Sequence, residues 1–228
     1  MLVLGHLLVA VGQLPTVPAR DFPEAVQRKV VAATVKVVNG DKQGSGAIVG
    51  REGPFAYVLT AAHVVGTAEN VEVHVFTAGS YPKADKVYRG NVLARAAGPD
   101  LAVVRLTSRD PLPDPLVICP PAAIPRGKNL AALSVGCGPG EAPTPVAETL
   151  LERKQIRRDG ESERCWAWEA ARKPEGGRSG GPLLDTAGRL IGVASGHGTE
   201  RGYYAHVEEI HPFLRRNGFR WLYEEEPR

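Results

Sequence analysis

The sequence predicts an all-β chain folded as two packed barrels with a helix at the C-terminal end, and three observations carry that reading. Short apolar or alternating runs recur along most of the 228 residues, each closed by a Gly, Pro, Asn or Asp signal. These runs form two sets, separated by a proline-rich stretch at 111–125 that has the composition of a connector. The alternation of strands with helices that marks a parallel sheet is missing.

Residues 1–29 form an N-terminal segment. Its apolar run at 2–11 is too short to span a bilayer, which takes roughly 20 residues. Val17-Pro18-Ala19 resembles the small-residue site at which an export signal is cut, although no Lys or Arg precedes the run. Export to a periplasmic or extracellular location and simple packing of this segment both stay open. Thr16 to Arg20 reads as a linker, and Asp21-Phe22-Pro23-Glu24 as a helix start with an acidic first turn.

The first barrel is expected at about 30–110. Thr34-Val35-Lys36-Val37-Val38 alternates and ends on Asn39-Gly40. Gly46-Ala47-Ile48-Val49 and the run at 55–60 form a hairpin across Gly50-Arg51-Glu52-Gly53-Pro54. Strands follow at 71–76, 87–93 and 101–106. The second barrel with its terminal helix is expected at about 126–228. Its strands lie at 130–135, 149–157, 165–170, 182–184, 190–195 and 203–207. Residues 208–223 read as a helix with the stripe Ile210, Phe213, Leu214 and Trp221.

Composition narrows the function. Hydrophobic residues are 43% and charged residues 23%, enough for a sizeable core. The net charge is only +3, and the one basic group, Arg153, Lys154, Arg157 and Arg158, reads as a solvated strand or loop. No basic stripe interleaved with aromatics is present, so nucleic acid is not an expected partner. Cys119, Cys137 and Cys165 are too few and scattered for a disulfide framework or a zinc site, and an odd count leaves a free thiol.

Three segments carry chemistry. Leu59-Thr60-Ala61-Ala62-His63 places a histidine directly after a strand, with small neighbours that leave its ring room. Gly98-Pro99-Asp100-Leu101-Ala102-Val103-Val104 opens an apolar strand with an acid. Gly177-Arg178-Ser179-Gly180-Gly181-Pro182-Leu183 sets a serine in a glycine-rich turn before a strand. Singly, each has an ordinary structural explanation. Together they supply a weak nucleophile, a base for its proton and a carboxylate to orient the base, which is what acyl transfer at neutral pH requires. The glycines leave the Gly177 and Ser179 amides able to form an oxyanion hole.

In this order, the three motifs resemble the trypsin-like serine proteases, and within them the bacterial HtrA (Deg) type. Gly44-Ser45-Gly46 is similar to that group's leading strand, and the run from Leu184 to Val193 to its hairpin after the nucleophile. The resemblance implies two six-stranded β-barrels with a cleft between them. It implies a serine endopeptidase acting on protein or peptide substrates without metal or organic cofactor, with His63, Asp100 and Ser179 as its triad. A homo-oligomer is compatible with it. It implies that Ser195 supports Asp100, and that Ser195-Gly196-His197 pairs with the substrate as an added strand. By the same resemblance the loop containing Lys173 lines the primary specificity pocket, with His197 at its mouth. No aspartate stands at the pocket base, which points to small or medium apolar residues at the cleaved position.

Two departures stand out. The chain runs out soon after the terminal helix, without the peptide-binding PDZ domain common in the group. Arg178 replaces the Asp or Asn usual before the nucleophile. In digestive relatives, that aspartate receives the ammonium of a freshly cut N-terminus. An arginine would repel it, so activation by cutting is not expected, and Arg178 is expected to face solvent or pair with an acid such as Glu175. An impaired member serving as a protein-binding module is the alternative in another class. The Gly-Xaa-Ser-Xaa-Gly elbow of α/β-hydrolases fits poorly, because a Pro-led strand follows where that fold has a helix.

Overall fold

Valine-rich alternation closes the first barrel. In the computed structural model, which describes residues 14–138 and 142–224 and of His197 the backbone alone, six antiparallel strands close on themselves. They are β1 (Thr34–Asn39), β2 (Lys42–Glu52), β3 (Phe55–Thr60), β4 (Asn70–Val75), β5 (Lys86–Ala96) and β6 (Leu101–Thr107), in the order β1-β2-β3-β6-β5-β4. Val71, Val73 and Val75 point inward, whereas Glu72 between them is exposed. Val35, Val37, Ile48, Val58, Val104 and Leu106 fill the rest of the interior.

β3 and β6 are buried on both faces. Val58, Ala102 and Val104 enter the barrel, while Leu59, Leu101 and Val103 join a second, larger cluster with Leu133, Val135 and Leu183. This explains why their sequences read as unbroken apolar runs. It also locks the barrels together through the strands that flank the histidine and aspartate motifs.

The second barrel repeats the connectivity. It contains β7 (Leu130–Cys137), β8 (Pro143–Arg157), β9 (Arg164–Ala170), β10 (Pro182–Leu184), β11 (Leu190–His197) and β12 (Gly202–His206), closed in the order β10-β11-β12-β9-β8-β7. β8 begins six residues before the expected Thr149. Pro143 and Pro145 pair with Cys137 and Val135 on β7, whereas pairing with β9 begins only at Leu150. The two prolines alternate along a stretch with a free edge, where a missing N–H costs nothing.

Helix α1 (Glu24–Ala33) packs its buried Val30, Val31 and Ala33 beside β1, β7 and β8. Gln27 fastens the preceding segment: its side chain accepts from Val17 N at 2.8 Å and donates to Val17 O at 2.9 Å. The apolar run at 2–11 lies outside the described residues. A single turn, α2 (Ala62–Val65), follows β3. Helix α3 (Val207–Arg216) buries Ile210, Phe213 and Leu214 as the stripe requires, but ends earlier than expected. Gly218 takes φ +82° there, and Trp221 falls in a separate 3₁₀ turn, partly exposed. No helix among the described residues is long and apolar enough to cross a membrane.

His206 caps α3: its Nδ1 accepts from Glu208 N at 3.1 Å, so Nε2 carries the hydrogen. The ring is fully buried against Trp168, its Nε2 has no partner, and Glu208 Oε2 is 3.7 Å from Nδ1. Burial, with Arg153 and His211 nearby, pulls its pKa down to about 3 from 6.5. The unfolded chain therefore takes up the proton first as pH falls below 6.5, and stability drains away towards pH 3. The expected loss is at most about 1.4 kcal/mol per pH unit in that window. Urea titrations at stepped pH should show a shallower slope for His206→Asn, which keeps a capping acceptor. An unchanged slope would place the titration elsewhere.

Candidate active site

Local packing presents each of the three motif residues at the cleft between the barrels. In α2, Ala62, Val64 and Val65 are buried, which turns His63 outward with its side chain 49% exposed. Asp100 stands in the turn before β6, where its N–H bonds Ala97 O at 3.0 Å and its φ is +58°. Aspartate is among the few residues that take this left-handed conformation readily.

Asp100 is only 4% exposed, and its carboxylate is fully engaged. Oδ1 accepts from His63 N at 2.9 Å, and Oδ2 lies 2.8 Å from His63 Nδ1. Ser195 Oγ donates to the same Oδ2. Holding the hydrogen on Nδ1 leaves the Nε2 lone pair facing the cleft.

Ser179 lies in the loop between β9 and β10, on the wall of a cleft of about 660 Å³ shared with His63, Asp100, Ser195 and Gly196. Its Oγ makes no hydrogen bond to His63 among the described residues. Contacts of this kind often close only when a ligand is bound. The loop is pinned from the first barrel. Ser45 N donates to Ser179 O at 2.6 Å, and Ser45 Oγ donates to Gly177 O at 2.8 Å while accepting Cys137 N at 2.8 Å. Gly177 has φ +87°, and a Cβ there would lie 2.4 Å from Cys137 O. Gly180 has φ +86°, and a Cβ would lie 2.1 Å from Ser45 O. No larger residue fits either position. Among the described residues, neither the Gly177 nor the Ser179 amide donates to a protein acceptor.

On its cleft side β11 loses β10 after Val193, and Gly180 N caps Ala194 O at 2.6 Å. Among the described residues, Ser195, Gly196 and the backbone of His197 therefore offer an unpaired edge beside the cleft, with Gly196 and His197 paired to β12 on the other side. The side chain of His197 lies outside the described residues. Lys173 is exposed and does not line this cleft.

Two arginines differ from expectation. Arg178 neither faces solvent nor pairs with Glu175. It is 4% exposed, its guanidinium turned into the end of the second barrel, and the nearby Glu175 contributes a carbonyl that accepts Arg178 N at 3.3 Å. Arg158, read as solvated, lies across the cleft instead, donating to Gly98 O at 3.1 Å with Nη1 3.7 Å from Asp100 Oδ2. An arginine at the end of a strand gives no local signal of such a reach. In the same basic group Arg153 pairs with Glu208 and stacks on Trp166, Lys154 pairs with Glu169, and Arg157 is exposed. All three cysteines are buried, and none forms a disulfide.

A family model described as a trypsin-like peptidase domain matches residues 44–193, from the Ser45 strand through the nucleophile motif to β11. The chain belongs to that family. This trypsin-like domain is similar to the "Serine protease HtrA-like" proteins of Staphylococcus aureus strains USA300 and NCTC 8325. Identity is 27% over 163 residues, covering 68% of this chain and 20% of each relative, so the chain spans about a fifth of their length. Two crystal structures of the Rv3671c protease of M. tuberculosis share the fold at 23% identity. The inactive form superposes with a TM-score of 0.69 over 85% of this chain and 92% of its own. The active form gives 0.68 over 90% and 93%. The domain thus has the chymotrypsin-like architecture of paired six-stranded barrels, and the α/β-hydrolase reading falls, since β10 rather than a helix follows Ser179.

Proposed function

We propose that this trypsin-like domain is a serine endopeptidase that cleaves protein or peptide substrates through an acyl-enzyme on Ser179. The observation that carries the reading is the buried, fully bonded Asp100 holding His63 Nδ1 at 2.8 Å, with Ser179 on the same cleft. In this mechanism His63 Nε2 takes the Ser179 proton as Oγ attacks the scissile carbonyl. The oxyanion is received by the Gly177 and Ser179 N–H groups. His63 then protonates the leaving amine, and water resolves the acyl-enzyme by the same steps in reverse roles. Asp100 fixes the tautomer and stabilises the imidazolium, and turnover accordingly requires neutral His63. The substrate backbone pairs with the open edge at Ser195-Gly196-His197, an added strand aligned by main-chain bonds.

A fluorophosphonate probe tests the chemistry directly. It should label the folded chain once, and peptide mapping should locate the label on Ser179. A folded chain that never labels would sink the proposal in favour of a protein-binding module.

Specificity follows from the loop before the nucleophile. Arg172 and Lys173 are exposed there, and its one acid, Glu175, is exposed as well. A cationic loop disfavours a cationic side chain, so small or medium apolar residues are expected at the cleaved position. In a peptide-library profile, Lys and Arg should fall at least about tenfold below the best residue. A dominant preference for either would refute this.

A further inference from the structure

The residue before the nucleophile is the most unusual group near the cleft, because its guanidinium is buried although Glu175 and Gly176 just before it are exposed. Arg178 Nη1 donates to Gly136 O at 3.2 Å and Thr144 Oγ1 at 3.1 Å. Nη2 donates to Ser134 O at 3.2 Å, Ser134 Oγ at 3.3 Å and Thr144 O at 3.0 Å. Ser134 and Gly136 belong to β7, and Thr144 to the neighbouring β8. The planar fork thus spans two adjacent strands and binds main-chain carbonyls, groups fixed by the barrel's own ladder.

Charge is balanced within the same space. Glu148 on β8 is 7% exposed and its Oε2 has no hydrogen-bond partner. Burial pushes its pKa up, and Arg172 and Arg178 oppose that push. Arg172 Nε stands 3.7 Å from Glu148 Oε2. Arg178 cannot shed its proton at working pH, so the barrel end holds a permanent cation facing a buried acid.

Resting on the proposed peptidase reading, we propose that Arg178 is the positioning residue of the oxyanion hole: its buried fork holds the Gly177–Ser179 backbone in the working shape from inside the second barrel. Ser45 grips the same three residues from the first barrel through Gly177 O and Ser179 O. The loop is therefore clamped at its middle residue from one side and at its two carbonyls from the other. With the guanidinium filling this space, a cut N-terminal ammonium would meet a like charge there, and the hole is pre-formed in the uncut chain.

The test compares Arg178→Ala, Arg178→Lys and Thr144→Val with the wild type. For Arg178→Ala, kcat should fall about 10²–10³-fold, the scale of one oxyanion donor, while KM stays within about threefold. Arg178→Lys, a point charge without the fork, should restore only part of the loss, and Thr144→Val should lower kcat by a smaller factor. Amide hydrogen exchange over 176–180 should speed up in the same rank order. Retention of kcat within about threefold in Arg178→Ala, or a defect confined to KM, overturns the proposal. If Arg178→Ala does not fold, unchanged kcat and unchanged exchange in Thr144→Val overturn it instead. A wild type that neither cleaves nor labels would end the peptidase reading, and the exchange measurement would then judge the clamp by itself.

Discussion

Replacement of Ser179 by alanine is expected to lower kcat by about 10⁶-fold while leaving the thermal transition within a degree or two, because the hydroxyl makes no hydrogen bond among the described residues. The surrounding loop is held by main-chain groups: Ser179 O by Ser45 N, Gly177 O by Ser45 Oγ, and Gly180 N by Ala194 O. None of these bonds uses the Ser179 hydroxyl. Stability and catalysis therefore separate cleanly at this position. Residual cleavage should be insensitive to fluorophosphonate. Full activity in the alanine variant, on protein freed of host proteases, would end the nucleophile assignment.

Asp100→Asn is the second large effect, an expected fall of about 10⁴-fold in kcat with little change in KM. The carboxylate takes three donors in the described geometry, His63 N, His63 Nδ1 and Ser195 Oγ. A carboxamide offers one acceptor oxygen and one NH₂. If the oxygen keeps His63 N, the NH₂ faces Nδ1, and the ring must put its hydrogen on Nε2, where it cannot accept the serine proton. Arg158, 3.7 Å from Oδ2, would also lose its counter-charge. The fall should lessen at high pH, where hydroxide replaces the missing base. A pH-independent loss of less than about tenfold would show that Asp100 does not set the tautomer.

What could be read from the sequence was what local chemistry encodes. His63, Asp100 and Ser179 each sit at a strand boundary, and their neighbours announce the turn: small residues before the histidine, an apolar strand after the aspartate, glycines around the serine. The steric reason behind Gly177 and Gly180 was legible in kind, though their blocking atoms, Cys137 O and Ser45 O, come from other strands. Arg178 was not legible. In its own segment it is a charged residue in a glycine-rich turn, which ordinarily points outward. Its actual partners at 134, 136 and 144 lie over thirty residues away, and only barrel closure brings them near. Arg158 escaped for the same reason, since Gly98 and Asp100 belong to the other barrel. The start of β8 was hidden because two prolines mask a strand unless its free edge is known, and the end of α3 because a good apolar stripe says nothing of where Gly218 breaks the helix.

The grip of Ser45 on the nucleophile loop has a thermodynamic consequence for the molecule as a whole. The loop belongs to one half of the chain and its fastening to the other, and the same strand pair whose outer faces bury Leu59 and Val103 carries the histidine and the aspartate. The reacting groups are thus arranged along a seam, not inside either half. A partly opened state in which the halves separate retains each set of ladder bonds yet has no site at all. Competence is a property of the assembled pair, and it disappears in any opening that parts the two halves.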